Sequence, residues 1–283
     1  TDVNGITKII DDKGEEFIAD LYIDCTGFKK KLIKEVNDKF NTFGSHLTHD
    51  KAIVMQIPYK DKEAEMKPRT KATALSSGWA WEIPLYNRIG NGYVYSSKYI
   101  TDEEAEKEFR EYLGLDRVDG VKSFIVDIET GYYDKPFTKN VVAVGLSSGF
   151  IEPLEATSLF LSQLSGIRID DVINGRTSVE KYNEEFETNI KDYADFISIG
   201  YYLSGRNDSD FWRNQNDSCI TDKMEEWISS CKYKMQPPSK KELFVNSSWI
   251  SKLIGFNVFP ETSMFDEYNK EEDENAEKFM SEM

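Results

Sequence analysis

The first half of the chain alternates short apolar runs with turn residues, a pattern typical of β-structure. The runs 3–10 and 16–24 flank a turn at residues 11–14 that ends in glycine, which predicts a hairpin. Residues 140–144 (NVVAV) form a continuous apolar run, which is typical of a strand buried on both faces. Further strands are predicted over 51–59, 71–85, 92–100 and 121–129, with a turn at 87–92 between the second and third of these.

Within the first half, a capping-box pattern at 101–104 predicts an isolated helix that ends near Gly114. In the second half, the apolar residues recur at the spacing of a helix. The acidic segment 266–283 is poor in apolar residues, so a frayed helix or disorder is expected there. Helices are predicted over 155–166, 177–204, 208–232 and 239–254, with Pro237 and Pro238 as the clearest break. The fold class is therefore mixed α/β (α+β), rich in sheet to about residue 150 and helical afterwards.

Composition narrows the class of protein. A chain of 283 residues with 39% hydrophobic content is expected to fold around a core. Its 51 acidic and 35 basic residues give a net charge of −16, which argues against nucleic acid and anionic membrane surfaces as partners. No apolar run approaches the roughly 18 residues of a membrane span, and the first residues do not resemble a signal segment. Three cysteines are too few for a disulfide framework, so a reducing, cytoplasmic location is expected.

Metal chemistry is not expected. His46 and His49 are the only two histidines, and no cysteine pair has the spacing of a zinc site. Three consecutive lysines at 29–31 predict a solvated loop or a helix start.

Residues 141–158 combine a buried strand, a glycine-containing loop and a helix start. Gly145 and Gly149 would let the backbone approach a ligand closely. Glu155 would lie in the first helical turn, beside an anion site formed by the N–H groups of Ala156, Thr157 and Ser158. On spacing alone a purely structural interpretation is favoured, in which Glu155 complements the helix dipole and the hydroxyl residues only begin the helix.

A tryptophan pair marks the strand predicted at residues 78–84. Trp79, Trp81 and Ile83 would share one face, opposite Ala80 and Glu82. The two indoles fit core packing as well as they fit the wall of a pocket or tunnel for aromatic or small reactive species.

These segments together resemble the flavin-dependent halogenases of the tryptophan-halogenase type. Residues 78–84 (GWAWEIP) match the family's W-x-W-x-I-P signature, and residues 149–157 (GFIEPLEAT) match its G-F-x-E-P-L-E-[SA]-T segment. The resemblance covers about residues 5–262, with further matches at 20–28, 49–52, 206–212 and 248–260.

The resemblance implies an FAD/NAD(P)-binding flavoprotein monooxygenase-like fold in four segments. Residues 1–45 would belong to the FAD-binding domain and 46–130 to a β-rich, substrate-facing region. Residues 131–165 would return to the FAD-binding domain with the halide and catalytic loop, and 166–283 would form a helical substrate-binding cap. The family's G-x-G-x-x-G fingerprint and its catalytic lysine match nothing here, so the sequence is expected to be the C-terminal portion of a longer enzyme.

The implied reaction uses reduced FAD, O2 and a halide ion to form hypohalous acid, which halogenates an electron-rich aromatic such as an indole. A separate flavin reductase would supply the reduced FAD, and self-association is left open. Glu155 corresponds to the catalytic carboxylate, and Thr157 and Ser158 to the halide-binding positions. The residues matching the flavin-binding positions are Thr26, Gly27, Gly145, Ser148 and Gly149. Those matching the tunnel wall are Trp79, Trp81, Ile83 and Pro84.

Two alternatives remain at this stage. One is a flavin-dependent monooxygenase of related fold, and the other is a non-catalytic fragment or binding module that lacks the flavin half. Departures from the family pattern at Tyr132, which follows a glycine where arginine is frequent, and at Gly200, where histidine is frequent, argue against transferring a substrate identity.

Overall fold

The computed structural model describes residues 1–44, 46–233, 235, 238 and 244–258. The predicted acidic tail, the start of the helix predicted at 239–254 and Pro237 lie outside the described residues. The described strands are β1 Ile9–Ile10, β2 Glu16–Phe17, β3 Tyr22–Asp24, β4 Phe40–Thr42, β5 Lys51–Ile57, β6 Lys71–Leu75, β7 Gly78–Pro84, β8 Ile89–Tyr95, β9 Ser123–Asp127, β10 Gly131–Tyr133, β11 Phe137–Thr138, β12 Val141–Ala143 and β13 Gly149–Phe150. The described helices are α1 Lys62–Glu65, α2 Asp102–Leu113, α3 Thr157–Ile173, α4 Val179–Tyr202, α5 Asp210–Ser218, α6 Asp222–Cys231 and α7 Asn246–Gly255.

The largest sheet is antiparallel and has the strand order β6-β7-β8-β5-β9. The predicted strand 71–85 is in fact two strands, β6 and β7, and the predicted turn at 87–92 lies earlier, at residues 85–88. The glycines at 90 and 92 belong to β8, where they face β7. The sequence pattern was misleading here because glycine is typical of turns but also marks close approach of a neighbouring strand.

One face of this sheet is covered by α2. The capping box predicted at its start is present, because the Glu104 N–H donates to the Thr101 hydroxyl at 3.2 Å and the Thr101 N–H donates to the Glu104 carboxylate at 3.1 Å. Ala105 and Phe109 of this helix are fully buried. They pack against the sheet residues Ile53, Met55, Ile57, Ala80, Tyr93 and Tyr95.

A second, smaller sheet has the order β11-β12-β3, in which β3 and β12 are parallel. Val141 and Ala143 pack on one face with Tyr22 and Ile33, whereas Val142 packs on the other face with residues of α3 and α4. This confirms that the run 140–144 contains a strand buried on both faces.

Several strands are too short to leave a sequence pattern. β4, β10 and β13 have two or three residues each and form one sheet. That sheet pairs a strand of the predicted segment 1–45 with strands of the predicted segment 131–165. The hairpin at 11–14 is present, but the strands predicted over 3–10 and 16–24 were too long: only β1 and β2 pair, and β3 pairs with β12 instead.

The helical half follows the prediction with two corrections. α3 begins at Thr157 rather than at residue 155, and it continues to Ile173. The single helix predicted over 208–232 is wrong, since the chain forms α5 and α6 with a break between them. The chain folds into two compact units, residues 1–219 and 220–283. In the second unit the Trp227 and Trp249 rings meet edge to face at 5.6 Å.

No described helix is long and apolar enough to cross a lipid bilayer.

Candidate active site

Two loops meet where the parallel strands β3 and β12 end. Asp24 and Ala143, the last residues of these strands, are register partners. The carboxyl ends of neighbouring parallel strands are where open α/β sheets commonly bind ligands. The loops that follow, with the first residue of β13, carry all the predicted flavin-binding residues: Thr26, Gly27, Gly145, Ser148 and Gly149.

The buried carboxylate of Asp24 holds both loops in place. Its Oδ1 accepts hydrogen bonds from the Thr26 N–H at 2.9 Å, the Thr26 hydroxyl at 2.7 Å and the Ser147 hydroxyl at 3.2 Å. Its Oδ2 accepts from the N–H groups of Leu32 and Ile33 at 2.8 and 2.9 Å. Burial acts to raise the pKa of Asp24, but these hydrogen bonds outweigh it and hold the pKa below its usual value. The carboxylate is therefore ionised at neutral pH.

Gly27 and Gly145 allow the tight turns of these loops. Both have positive φ angles, +65° and +66°, which favour glycine. A Cβ at Gly27 would have no neighbour within 4 Å, so this stretch of backbone faces open space. The Ser147 hydroxyl donates to the Gly27 carbonyl at 3.2 Å, and the Ser148 hydroxyl donates to the Gly145 carbonyl at 2.7 Å. The structure thus brings the loops of Thr26, Gly27, Gly145 and Ser148 together.

Gly149 differs from the other two glycines. A Cβ at this position would lie 2.8 Å from the Gly131 carbonyl oxygen, from Ile190 and from Tyr132. Protein atoms therefore fill the space on that side, and packing is the reason for glycine here. The expectation that Gly149 opens the backbone to a ligand is wrong on that side of the residue.

The start of α3, whose first N–H groups have no partner within the helix, lies close to the same loops. Thr157 is buried, Ser158 is partly buried, and no side chain caps the helix at its first residue. A Cβ at Gly145 would lie 3.1 Å from the Ser162 hydroxyl of α3, so the helix runs directly beside the Gly145 loop. N–H groups without an intrahelical partner and the helix dipole make this end of α3 suitable for an anion.

Ala156 adopts a left-handed conformation, with φ 52° and ψ 34°, at the residue before α3. Its N–H donates to the Pro153 carbonyl at 3.2 Å. The expectation that the Ala156 N–H contributes to an anion site is therefore wrong, because this group is already used to close the turn. Glu155 precedes this strained residue and is partly exposed. It lies two residues before Thr157, where α3 begins, so the expectation that it lies in the first helical turn is wrong.

The tryptophan pair lies on the sheet face opposite α2. The Trp79 and Trp81 rings are 6.1 Å apart and tilted by 55°, as expected for one face of β7. Trp79 is buried and lies near Tyr201 of α4. Ile83 is 37% exposed and lies about 13 Å farther along the strand, given a rise of ~3.3 Å per residue. The structure therefore brings Trp79 to the site, whereas Ile83 and Pro84 lie toward the other end of β7.

A buried polar cluster at the site has no counterpart in the sequence analysis. Glu152, on the loop before α3, accepts a hydrogen bond from the Tyr201 hydroxyl at 2.8 and 3.0 Å to its two oxygens. The His49 Nδ1 lies 3.1 Å from Glu152 Oε2, and neither side chain is exposed. Burial, with the neighbouring Glu152 charge, raises the pKa of Tyr201 well above its usual value, so its hydroxyl keeps its proton. The sequence analysis considered His49 only as a metal ligand and gave no sign that it would lie beside Glu152 and Tyr201.

One of the three consecutive lysines is not solvated, which corrects the prediction for residues 29–31. Lys30 is 6% exposed, lies 3.4 Å above the Phe40 ring and contacts the Glu129 carboxylate at 2.5 Å. Burial lowers the pKa of Lys30, and the contact with Glu129 acts in the opposite direction. Among the described residues, no cluster of histidine, cysteine and carboxylate side chains could hold a metal ion.

Comparison with known protein families gives one match over nearly the whole chain. Residues 2–269 match the family model described as tryptophan halogenase. The tryptophan 7-halogenase RebH of Lentzea aerocolonigenes is 37% identical over 234 residues, which cover 80% of this chain and 44% of that protein. The tryptophan 6-halogenase SttH of Streptomyces toxytricini is 30% identical over 247 residues, or 84% of this chain and 46% of that protein. The chain thus spans about half the length of the curated relatives it matches.

Solved structures give the same result for the fold. A tryptophan halogenase from Shewanella frigidimarina superposes with a TM-score of 0.84 at 28% identity, covering 98% of this chain and 56% of that one. The SttH structure superposes with a TM-score of 0.83 at 28% identity, covering 92% of this chain and 55% of that one. The fold predicted from the resemblance is confirmed.

Proposed function

Because the chain belongs to the tryptophan halogenase family, we propose that it forms the catalytic and halide-binding part of a flavin-dependent halogenase. The reaction would use reduced FAD, O2 and a halide ion to halogenate an electron-rich aromatic substrate, with indoles as the leading candidates. The observation that carries this proposal is the position of Glu155, two residues before the start of α3, which lies beside the loops of β3 and β12.

The loops after β3 and β12 are suited to hold the flavin. The missing side chain at Gly27 leaves room for a planar ring against the chain. Ser148 is buried and its backbone groups are bonded to Gly145 and Tyr133, so it supports the loop from within. Asp24 fixes both loops, and so the surface that the ring would meet is already formed. When bound, reduced FAD with O2 supplies the oxidising power that converts the halide ion to hypohalous acid.

The start of α3 is suited to the halide ion. The N–H groups of Thr157 and Ser158 lie at the positive end of a 17-residue helix. With a net charge of −16 the molecule as a whole repels anions. Halide binding therefore depends on these local donors.

Glu155 is suited to the substitution step on the aromatic ring. When a halogen atom forms a bond to a ring carbon, that carbon must lose its proton. A carboxylate held at the site can orient the hypohalous acid and accept this proton, a contribution typically on the order of 10²- to 10⁴-fold in rate. Trp79 and Trp81 would form the wall between the flavin and the aromatic substrate, and would keep the two from direct contact.

The test is the mass of the product. The purified protein is supplied with reduced FAD, O2, bromide and a panel of substituted indoles and phenols. A product with the paired isotope pattern of bromine supports the proposal. A substrate that gains only oxygen would indicate a monooxygenase of the same fold and contradict the proposal. No turnover of either kind would favour the non-catalytic alternative.

A further inference from the structure

Three distant parts of the chain meet in a cluster that is fully enclosed by protein. Glu152 lies on the loop before α3, Tyr201 on α4, and His49 just before β5. The exposed fractions of these side chains are 0%, 3% and 1%. The Tyr201 hydroxyl donates to the Glu152 carboxylate at 2.8 Å, and His49 Nδ1 lies 3.1 Å from the same group. Neither ring nitrogen of His49 has a well-formed hydrogen bond with a described residue.

Aromatic rings fix the position of the Tyr201 hydroxyl. The Tyr201 ring lies 5.3 Å from the His49 ring and 5.9 Å from the Trp212 ring. The Trp212 indole N–H donates to the Leu75 carbonyl at 2.8 Å, which anchors this stack to β6. The Trp79 indole N–H forms no well-formed hydrogen bond, yet it acts to lower the pKa of Tyr201 against the larger effects of burial and Glu152. Tyr201 therefore lies between the tryptophan of β7 and the loop of Glu152.

A short and rigid stretch connects this cluster to Glu155. Only Pro153 and Leu154 separate the two glutamates. Proline fixes one backbone angle, and the hydrogen bond from the Ala156 N–H to the Pro153 carbonyl closes the turn. A shift of Glu152 would therefore be passed on to Glu155 and to the start of α3.

A buried carboxylate is costly for a role that packing alone could fill. Removing a charged group from water is unfavourable unless its partners compensate. An apolar side chain of similar size at residue 152 would avoid this penalty. Glu152 differs from such a residue in accepting the Tyr201 hydrogen bond, which gives the loop one defined position.

We propose that Glu152, held by the hydrogen bond from Tyr201 and enclosed beside His49, is a positioning residue that sets the location of Glu155 relative to Trp79. This inference rests on the proposed function, because it takes Glu155 as the catalytic carboxylate. Tyr201 contacts both sides of the site and is the centre of the arrangement.

The experiment compares four variants in the full protein. Tyr201→Phe removes only the hydroxyl, and Glu152→Leu removes the acceptor. Glu152→Gln removes the charge but keeps an oxygen that can accept from Tyr201. Tyr182→Phe is the matched control, because Tyr182 is also buried on α4 and its hydroxyl makes no well-formed hydrogen bond.

The expected kinetic result is a loss of kcat with little change in KM. A misplacement on the order of 1 Å can reduce a rate by about a hundredfold, so Tyr201→Phe and Glu152→Leu should lower kcat for halogenation by roughly ten- to a hundredfold. Glu152→Gln should retain most of the activity and Tyr182→Phe all of it. Equal losses in Glu152→Gln and Glu152→Leu would contradict positioning by hydrogen bonding. A kcat for Tyr201→Phe equal to that of the control would also overturn the inference.

A second measurement needs neither flavin nor turnover. The ring resonances of His49 and the indole N–H resonance of Trp79 are assigned by NMR. Each is identified as the signal that disappears when that residue is replaced. Both should shift in Tyr201→Phe and stay in place in Tyr182→Phe. Unchanged resonances in Tyr201→Phe would contradict the arrangement even if the protein halogenates. Shifted resonances in a protein that forms no halogenated product would leave the arrangement intact and contradict only the proposed function.

Discussion

The orientation of Trp81 depends on a glycine in the neighbouring strand. Gly92 of β8 is its register partner, and a Cβ built on Gly92 would lie 2.0 Å from the Trp81 ring. The indole therefore lies directly over the backbone of Gly92. Gly90 lies two residues earlier on the same strand and pairs with Ile83. A Cβ built on Gly90 would lie 3.7 and 3.8 Å from its nearest neighbours, which are ordinary contacts.

We expect Gly92→Ala to displace Trp81 and Gly90→Ala to be tolerated. The added methyl group overlaps a ring that packs against backbone, so the free energy of unfolding should fall by about 1–3 kcal/mol. Gly90→Ala should change it by less than about 0.5 kcal/mol. Urea denaturation of both variants measures the difference. Equal stability of the two variants would show that the Trp81 ring is not held over Gly92.

At the scale of elements, Ala156 stores strain at the start of α3. An alanine in the left-handed region costs about 1–2 kcal/mol, a penalty that glycine does not have. Glycine loses more entropy on folding, which removes part of the gain.

We expect Ala156→Gly to raise the free energy of unfolding by about 0.5–1 kcal/mol. Ala64→Gly, in the interior of α1, is the matched control and should lower it by up to about 1 kcal/mol. Thermal or urea denaturation gives both values. Destabilisation by Ala156→Gly would contradict the left-handed conformation at this residue.

Asp24 connects β3 to the two loops of the site, and its contribution to stability should depend on pH. Its folded-state pKa lies below the unfolded value, so the stabilisation is complete above about pH 4 and is lost as the pH falls through the folded-state pKa.

We expect Asp24→Asn to lower the free energy of unfolding at pH 7. The difference in this free energy between the variant and the unmodified protein should become smaller below about pH 4. Asp20→Asn, at an exposed position two residues before β3, controls for the loss of one negative charge. Urea denaturation between pH 7 and pH 3 measures this difference in free energy of unfolding. A difference that stays constant over this range would contradict the ionised, hydrogen-bonded state of Asp24.

At the scale of the whole molecule, the charge of −16 should make stability sensitive to salt. Like charges repel one another over about 30 Å at 0.01 M ionic strength and over about 8 Å at 0.15 M. The thermal midpoint should therefore rise between these two concentrations, which a thermal scan in each buffer would measure. A midpoint that falls with added salt would show that attractive ion pairs outweigh the excess negative charge.

The sequence predicted those elements whose signals are local. The capping box of α2 and the apolar run of β12 each lie within about ten residues, and the structure contains both. The parallel pairing of β12 with β3 joins residues more than a hundred positions apart. Strands such as β13, with two residues, leave no period to detect.

The same distinction holds for the site. Glu155 and Thr157 lie in one continuous motif, so the sequence indicated them. His49, Glu152 and Tyr201 come from three separate regions, and no spacing along the chain connects them. Glycine was ambiguous for a physical reason, since it permits ligand approach at Gly27 but close packing at Gly149.

The central role in the proposed reaction belongs to Glu155, as the carboxylate that orients the hypohalous acid and accepts the proton lost from the aromatic ring. Glu155→Gln keeps the size and hydrogen-bonding capacity of the side chain but removes its ability to accept a proton. The direct measurement is the ratio of brominated product to reduced flavin consumed, determined for this variant and for the unmodified protein in parallel. We predict that flavin consumption stays the same while the yield of product falls by about a hundredfold or more. An unchanged product yield in Glu155→Gln would contradict the account.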